Sequence, residues 1–258
     1  MNTPPRSFDT WEAALAAGRA EEANPLYLRN VEQPDPQIIS ALRSCKELRA
    51  ALRGKAWDKA LAHAETFTTG VLPLNLEQLR SELELLAAAG DALSRHAAEE
   101  VAPLLENVTS PLLRGEVYTL LGTAAIYGDD AHGAQTYFEK AVESDPRHFR
   151  AVTNLGNLAL EAGDLDEAIE AYQRALTLND QFANAHHNLG VAYRRKGEFG
   201  KSVRSLRRAQ GASQRSLREQ ARTDLSRSRP GVKRTLRWLL YGGAALLVYS
   251  VLRANGLL

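Results

Sequence analysis

The chain has 258 residues, 44% of them hydrophobic, which is enough for one large domain or an extended array of small units. A single cysteine, Cys45, excludes an internal disulfide and a multi-cysteine zinc site. The net charge of +1 conceals an asymmetry: positions 194–237 carry 15 Lys and Arg against three acids, a net +12, while the remainder carries 17 basic and 28 acidic residues, a net −11. An acidic body with a basic arm points to an anionic partner or surface. Ala and Leu dominate the apolar content and no stretch alternates with a period of two, so the expected class is all-α. The opening MNTPPRSFDT is polar, so no secretory signal is expected and the body is expected in a reducing, cytoplasmic compartment.

Taken in order, Asp9 reads as an N-cap with Glu12 three residues on, opening a short helix that ends near Asn24-Pro25. Residues 24–36 hold three prolines and read as a loop, so 1–35 is predicted as a short helix and loop. Asp35-Pro36 then opens a helix over 37–53, since Pro suits the first helical position, and Cys45 on it reads as a buried small thiol. Together with 57–67, 76–89 and 92–105 this gives two antiparallel helix pairs. Trp57 and Ala60 stand where later units have Leu165 and Ala168, so 36–110 reads as degenerate copies of a repeat that becomes clear further on. Ser110-Pro111 opens the first helix of the clear array.

From Gly115 to about Gln210 the sequence repeats with a period of 34. Leu121-Gly122, Leu155-Gly156 and Leu189-Gly190 fall in register, as do Phe138, Tyr172 and Leu206. Ala134, Ala168 and Ser202 form a third series, and Ala141, Ala175 and Ala209 a fourth. Small residues in register let helix backbones approach, and the larger ones fill the gaps between them. Gly128-Asp129-Asp130, Gly163-Asp164 and Gly197-Glu198 mark turns, a glycine ending one helix and an acid capping the next. The pattern resembles the tetratricopeptide repeat, a helix–turn–helix unit with a Leu-Gly pair, a later Ala-x-x-x-aromatic and a closing Pro, here Pro146. The third unit departs from it, with His186 for Trp, Ser202 for Ala, and Asp180 in place of the Pro that closes the unit before. The expected fold is thus a solenoid of antiparallel helix pairs, with three clear units over 111–212.

The resemblance implies a concave groove lined by the first helix of each unit and occupied by a peptide or helix of a partner protein. Carried onto this sequence, the groove residues are Arg150, Thr153, Asn154 and Asn157, then Asn184, His187, Asn188 and Arg194. Asn154 and Asn188 lie one period apart, and an amide both donates and accepts, so a ladder of them could hold a peptide backbone of any sequence. The alternative is that they only cap or solvate the repeat. Thr119 and Thr123 stand where chaperone-tail-binding members carry Lys and Asn, so capture of chaperone tails is not expected. The arginines favour an acidic partner.

Beyond Gln210, Leu217, Ala221 and Leu225 put a weak apolar stripe on a basic helix, and 213–235 reads as a terminal cap with a hinge at 226–231. Positions 238–252 carry no charge. As a helix they reach about 22 Å against about 30 Å of hydrocarbon, and 236–258 would be long enough to span. Leu236, Trp238, Tyr241, Tyr249 and Leu252 are the anchor candidates, the aromatic ones suited to the interface. Arg227, Arg229, Lys233, Arg234 and Arg237 precede the segment and only Arg253 follows, which keeps the body cytoplasmic in a single-pass, tail-anchored arrangement. Arg outnumbers Lys by 25 to 7 and Ala is abundant, a bias associated with GC-rich bacterial genomes and hence with a bacterial inner membrane. The basic arm suits anionic lipid headgroups. Nucleic acid is the weaker choice, since the arm lacks interleaved aromatics and any known module.

No phosphate-binding glycine loop, nucleophile elbow or metalloprotease motif is present, and the six histidines show no metal-ligand spacing. No catalytic residue, metal or cofactor is therefore expected. Two readings stay open: a tail-anchored scaffold or adaptor, and a soluble adaptor or chaperone whose apolar tail packs on its own groove.

Overall fold

A computed structural model of the chain describes residues 8–67 and 70–222. The predicted hinge at 226–231 and the apolar segment 238–252 lie outside the described residues. Among the described residues every regular element is a helix, and none is long and apolar enough to cross a membrane. The helices follow as α1 (Trp11–Ala16), α2 (Ala20–Asn30), α3 (Pro36–Arg53), α4 (Trp57–Glu65), α5 (Leu76–Ser94), a 3-10 turn (Ala98–Glu100) and α6 (Val101–Leu105). The clear array is α7 (Arg114–Tyr127), α8 (Ala131–Ser144), α9 (Phe149–Ala162), α10 (Leu165–Leu178), α11 (Ala183–Arg195) and α12, helical from 199 to 222. Each helix packs on its neighbours in sequence, giving an all-α helical solenoid.

The 34-residue period is a packing period. A Cβ on Gly122 would stand 2.6 Å from Phe138 Cε1, one on Gly156 2.8 Å from Tyr172 Cε1, and one on Gly190 2.8 Å from Leu206 Cγ. Each Leu-Gly pair thus admits the large side chain of its own unit. Ala134, Ala141, Ala168 and Ala175 are fully buried at the other close crossings. The turns follow the predicted chemistry with one change. Gly163 and Gly197 take the left-handed conformation at φ +90° and +85°, but in the first unit Asp129 does so at φ +57°, and Gly128 stays at φ −88°. Asp130 caps α8 by accepting from the Gly133 N–H at 2.8 Å.

Four expectations need correction. The first helix is capped by Thr10, whose hydroxyl oxygen accepts from Ala13 N, and not by Asp9. The predicted loop from Asn24 is instead α2, which runs through Pro25 to Asn30. Burial of Ala20, Ala23 and Tyr27 holds it, with Trp11 edge-on to Tyr27 at 5.2 Å and the Tyr27 hydroxyl accepting from Asp35 N at 2.8 Å. Tertiary packing here outweighs the proline. Gly90 does not end a helix either: α5 continues to Ser94 because the Trp57 indole lies where a Cβ would be, 2.9 Å away. The break comes at His96, φ +61°, and a 3-10 turn leads into α6, much shorter than the predicted helix over 92–105. Last, 213–222 is no separate capping helix but the continuation of α12 through Gly211, which meets nothing within 4 Å.

One large core joins α1 through α7, from Ala14 to Leu120, with smaller clusters in the later units. Cys45 is fully buried within it, and burial pushes its thiol up to about 12. Glu82 is buried too, its carboxylate accepting from the backbone of Thr109 and Ser110 at 2.9 Å each, which ties α5 to the start of the clear array.

The glycine packing predicts opposite signs at two helical glycines. Gly122→Val should cost about 1–3 kcal/mol of stability through overpacking against Phe138. Gly211→Ala, in open space, should add up to about 1 kcal/mol. Urea denaturation of both variants beside the parent chain measures the difference.

Candidate functional site

The groove is built on two buried ion networks. In the first, Arg49 and Arg53 of α3 reach across to Asp145, the residue that ends α8. Arg49 Nη2 lies 2.9 Å from Asp145 Oδ1, and Arg53 donates from Nε to Oδ2 at 2.6 Å and from Nη2 to Oδ1 at 2.7 Å. Both arginines also pair with Glu21 of α2, and Arg49 donates to the Gly18 carbonyl. Gly18 makes this approach possible: its φ is +78° and a Cβ would stand 2.2 Å from Pro111 O. Burial alone would raise the pKa of Asp145, but the charge of Arg49 and the hydrogen bond from Arg53 outweigh it and bring the carboxyl to about 2.

The second network centres on Glu116 of α7, which is buried. His148 accepts the Ala151 N–H at Nδ1, so its Nε2 donates to Glu116 Oε2 at 3.0 Å. Arg150 Nη1 lies 3.0 Å from Glu116 Oε1 and donates to the Leu52 carbonyl at 3.3 Å. Burial works against ionisation of Glu116, yet the Arg150 charge and the His148 hydrogen bond hold its pKa below the usual value. Arg150 thereby fastens the end of α3 to α9.

The two networks hold the α3–α4 turn against α7–α9, and a cavity of about 610 Å³ opens beside it. That volume lies within the range of ligand pockets, about 300–1,000 Å³. Arg53, Gly54 and Lys55 form one wall, α9 and α11 the length of it, and Ser216 of α12 the far end. Phe149 and Phe182, edge to face at 4.8 Å, supply its apolar part. Among the described residues no acidic one lines it.

Seven of the eight predicted groove residues meet in this cavity: Arg150, Thr153, Asn154, Asn157, Asn184, His187 and Asn188. Arg194 does not; it is exposed and stands outside the lining set. The seven are not equivalent. Arg150 is committed to Glu116, and the Thr153 hydroxyl donates back to Phe149 O at 2.8 Å. The expected Asn154–Asn188 ladder is rearranged. Asn157 Oδ1 accepts from Asn188 Nδ2 at 2.7 Å and from the Tyr172 hydroxyl at 2.9 Å. This leaves an Asn157 donor and an Asn188 acceptor unused. Asn154, Asn184 and His187 make no side-chain hydrogen bond among the described residues.

Sequence reasoning missed Arg53, Lys55, Gln181 and Ser216 as lining residues. No motif marks them, because they come from the α3–α4 turn, the α10–α11 turn and the far part of α12. Among the described residues no group of three or more His, Cys, Asp or Glu is placed to hold a metal ion.

Comparison with known proteins agrees with this architecture. Residues 119–182 and 154–216 match the family model described as tetratricopeptide repeat. A curated relative, the probable UDP-N-acetylglucosamine–peptide N-acetylglucosaminyltransferase SPINDLY of Hordeum vulgare, is 33% identical over 83 residues. That match takes in 29% of this chain and 9% of the relative, so the chain spans about a tenth of the relative's length. Likeness to solved structures is remote. A crystal structure of MamA protein is 20% identical, covering 69% of this chain and 94% of that one at a TM-score of 0.42. YrrB, titled a TPR protein with an unusual peptide-binding site, is 23% identical, covering 76% and 93% at 0.41.

The depressed Asp145 carboxyl fixes the sign of an acid transition. Its folded value of about 2 lies below the usual 3.8, so its contribution is fully present above about pH 4 and is lost as the pH falls toward 2. Asp145→Asn should cost about 3–5 kcal/mol at neutral pH, because it leaves buried arginine charge uncompensated. It should also flatten the fall in stability between about pH 4 and pH 2. Urea melts across that range test both.

Proposed function

We propose that this protein is a scaffold or adaptor that holds an extended peptide of a partner protein in the groove along α9 and α11. The observation that carries the reading is the set of amides on one wall that are open to solvent and only partly bonded to the protein. Among the described residues Asn154 and Asn184 make no side-chain hydrogen bond, while Asn188 donates to Asn157 and the pair keeps further amide N–H donors and the Asn188 oxygen for a ligand. Polar side chains held in place without full satisfaction suit a ligand that brings its own N–H and C=O groups, as a peptide backbone does. Tyr172 fixes Asn157 from behind, so the amide plane is set before a ligand arrives. Recognition of this kind is largely independent of sequence.

The anchoring of the protein is part of the same proposal and is supported by sequence alone. Positions 238–252 are uncharged, five basic residues precede them between 227 and 237, and one follows. This pattern suits a single membrane span over 236–258 with the solenoid on the cytoplasmic side and the arm against anionic headgroups. The rival arrangement, with the tail folded into the groove, is disfavoured by charge. Residues 223–258 carry six basic groups and one acid, and the groove is lined by cations without an acid. The transferase name of the barley relative brings no catalytic assignment, because the overlap is confined to repeats and 9% of that protein.

Two measurements test the proposal. A random peptide library panned on the full chain should yield binders whose affinity falls about tenfold in the double variant Asn154→Ala, Asn184→Ala, as loss of about two hydrogen bonds predicts. Binders indifferent to that change would place recognition elsewhere. In membrane fractionation the full chain should resist carbonate and need detergent for release, while a chain ending at Pro230 stays in the supernatant. If both stay in the supernatant, the anchor is wrong.

A further inference from the structure

The charges around the groove do not all cancel. Arg49 and Arg53 are matched by Glu21 and Asp145, and Arg150 is matched by Glu116. Lys55 is the surplus. It lines the cavity beside Arg53 and Arg150, and among the described residues no carboxylate lies within ion-pair distance of it. Burial first, then the positive charge of Arg150, lowers its pKa from the ordinary lysine value, and the more distant Glu116 carboxylate offsets this only in part. It also occupies the left-handed position of the α3–α4 turn at φ +55°, where a residue without a side chain would be less strained. Arg215, next in sequence to the lining residue Ser216, donates to the side-chain oxygen of Gln181 at 2.8 Å.

We infer that the groove selects acidic peptides, with Lys55 receiving a Glu or Asp side chain at one end and Arg215 a second one at the other. This rests on the groove reading above and adds the class of partner. The amides hold the backbone, which carries no charge information, and the two cations supply the discrimination. An acidic side chain at Lys55 would restore the local charge balance that the rest of the wall already has. A neutral peptide leaves that ammonium partly desolvated and unpaired, and a basic one adds a third cation beside Arg150, so both are rejected by comparison.

The test uses the full chain in detergent and three fluorescein-labelled peptides of about eight residues, followed by anisotropy. One alternates Glu and Ser with an amidated end, one alternates Gln and Ser with an amidated end, and the third is the Gln peptide with a free terminal carboxylate. The Glu peptide should bind about tenfold tighter than its amidated Gln isostere, as one charge-assisted contact predicts. That preference should shrink with added salt. Lys55→Gln and Lys55→Gly should both remove most of the preference, read as the ratio of the Glu to the Gln peptide's affinity in each variant. The glycine variant also relieves the turn, so a loss in both is not a folding defect. Arg215→Gln should remove a smaller part, and Lys55→Arg should keep the preference. Equal affinities for the Glu and Gln peptides, or a preference that survives loss of Lys55, overturn the inference while sparing the groove. A gain seen only with the free terminal carboxylate overturns the side-chain assignment. If no peptide binds, the groove reading falls with it.

Discussion

The structure depends on one recurrent contact, the seating of a large side chain on a backbone stripped of its Cβ. Phe138 on Gly122, Tyr172 on Gly156 and Leu206 on Gly190 are the same event, a repeat apart. Because these side chains sit where a Cβ would be, the two helices of each unit have one depth of approach and little freedom to slide. In the middle unit the contact reaches further. Tyr172 passes its hydroxyl beyond the packing plane to Asn157, which in turn holds Asn188 of the next unit. A core contact thus sets the position of a polar group on the open face.

A second constraint acts between distant parts of the chain. Two carboxylates, Asp145 and Glu116, are buried where hydrophobic packing alone would not place them, and arginines from another part of the chain compensate each. Such networks gain little over an apolar core, but they are intolerant of partial loss. Their value here is positional. They bring the α3–α4 turn against α9, and the groove has a third wall for that reason.

The clear array was legible because its period is local: every residue that matters lies within one repeat of its equivalent, and the small and large positions alternate in the sequence itself. Seven of the eight residues placed in the groove by that register do line one cavity. What stayed hidden was of two kinds. Pro25, Gly90 and Gly211 each carry a breaking signal that packing or simple continuity overrides, through Tyr27, through the Trp57 indole, and in Gly211 by too small a penalty to matter. Arg53 and Lys55 look like ordinary helix-end cations, and their roles arise from a partner 92 residues away in the case of Asp145 and from the lack of one in the case of Lys55. No window of sequence contains both halves of such a relation.

The long-range lock also alters how the stack can come apart. In an array whose units touch only their neighbours, either end frays with equal ease. Here contacts spanning 92 to 124 residues, from Arg53 to Asp145 and from Arg19 to the Glu143 carbonyl, bolt the early helices to α8. Among the described residues α11 and α12 are tied over shorter spans, by the Gly190 seat and by bonds such as Asn188 to Asn157, Gln173 to the Tyr193 hydroxyl and Arg215 to Gln181. The groove wall at Lys55 thus belongs to a part of the chain tied across 92 residues or more, and the wall at Ser216 to a part tied over about one repeat.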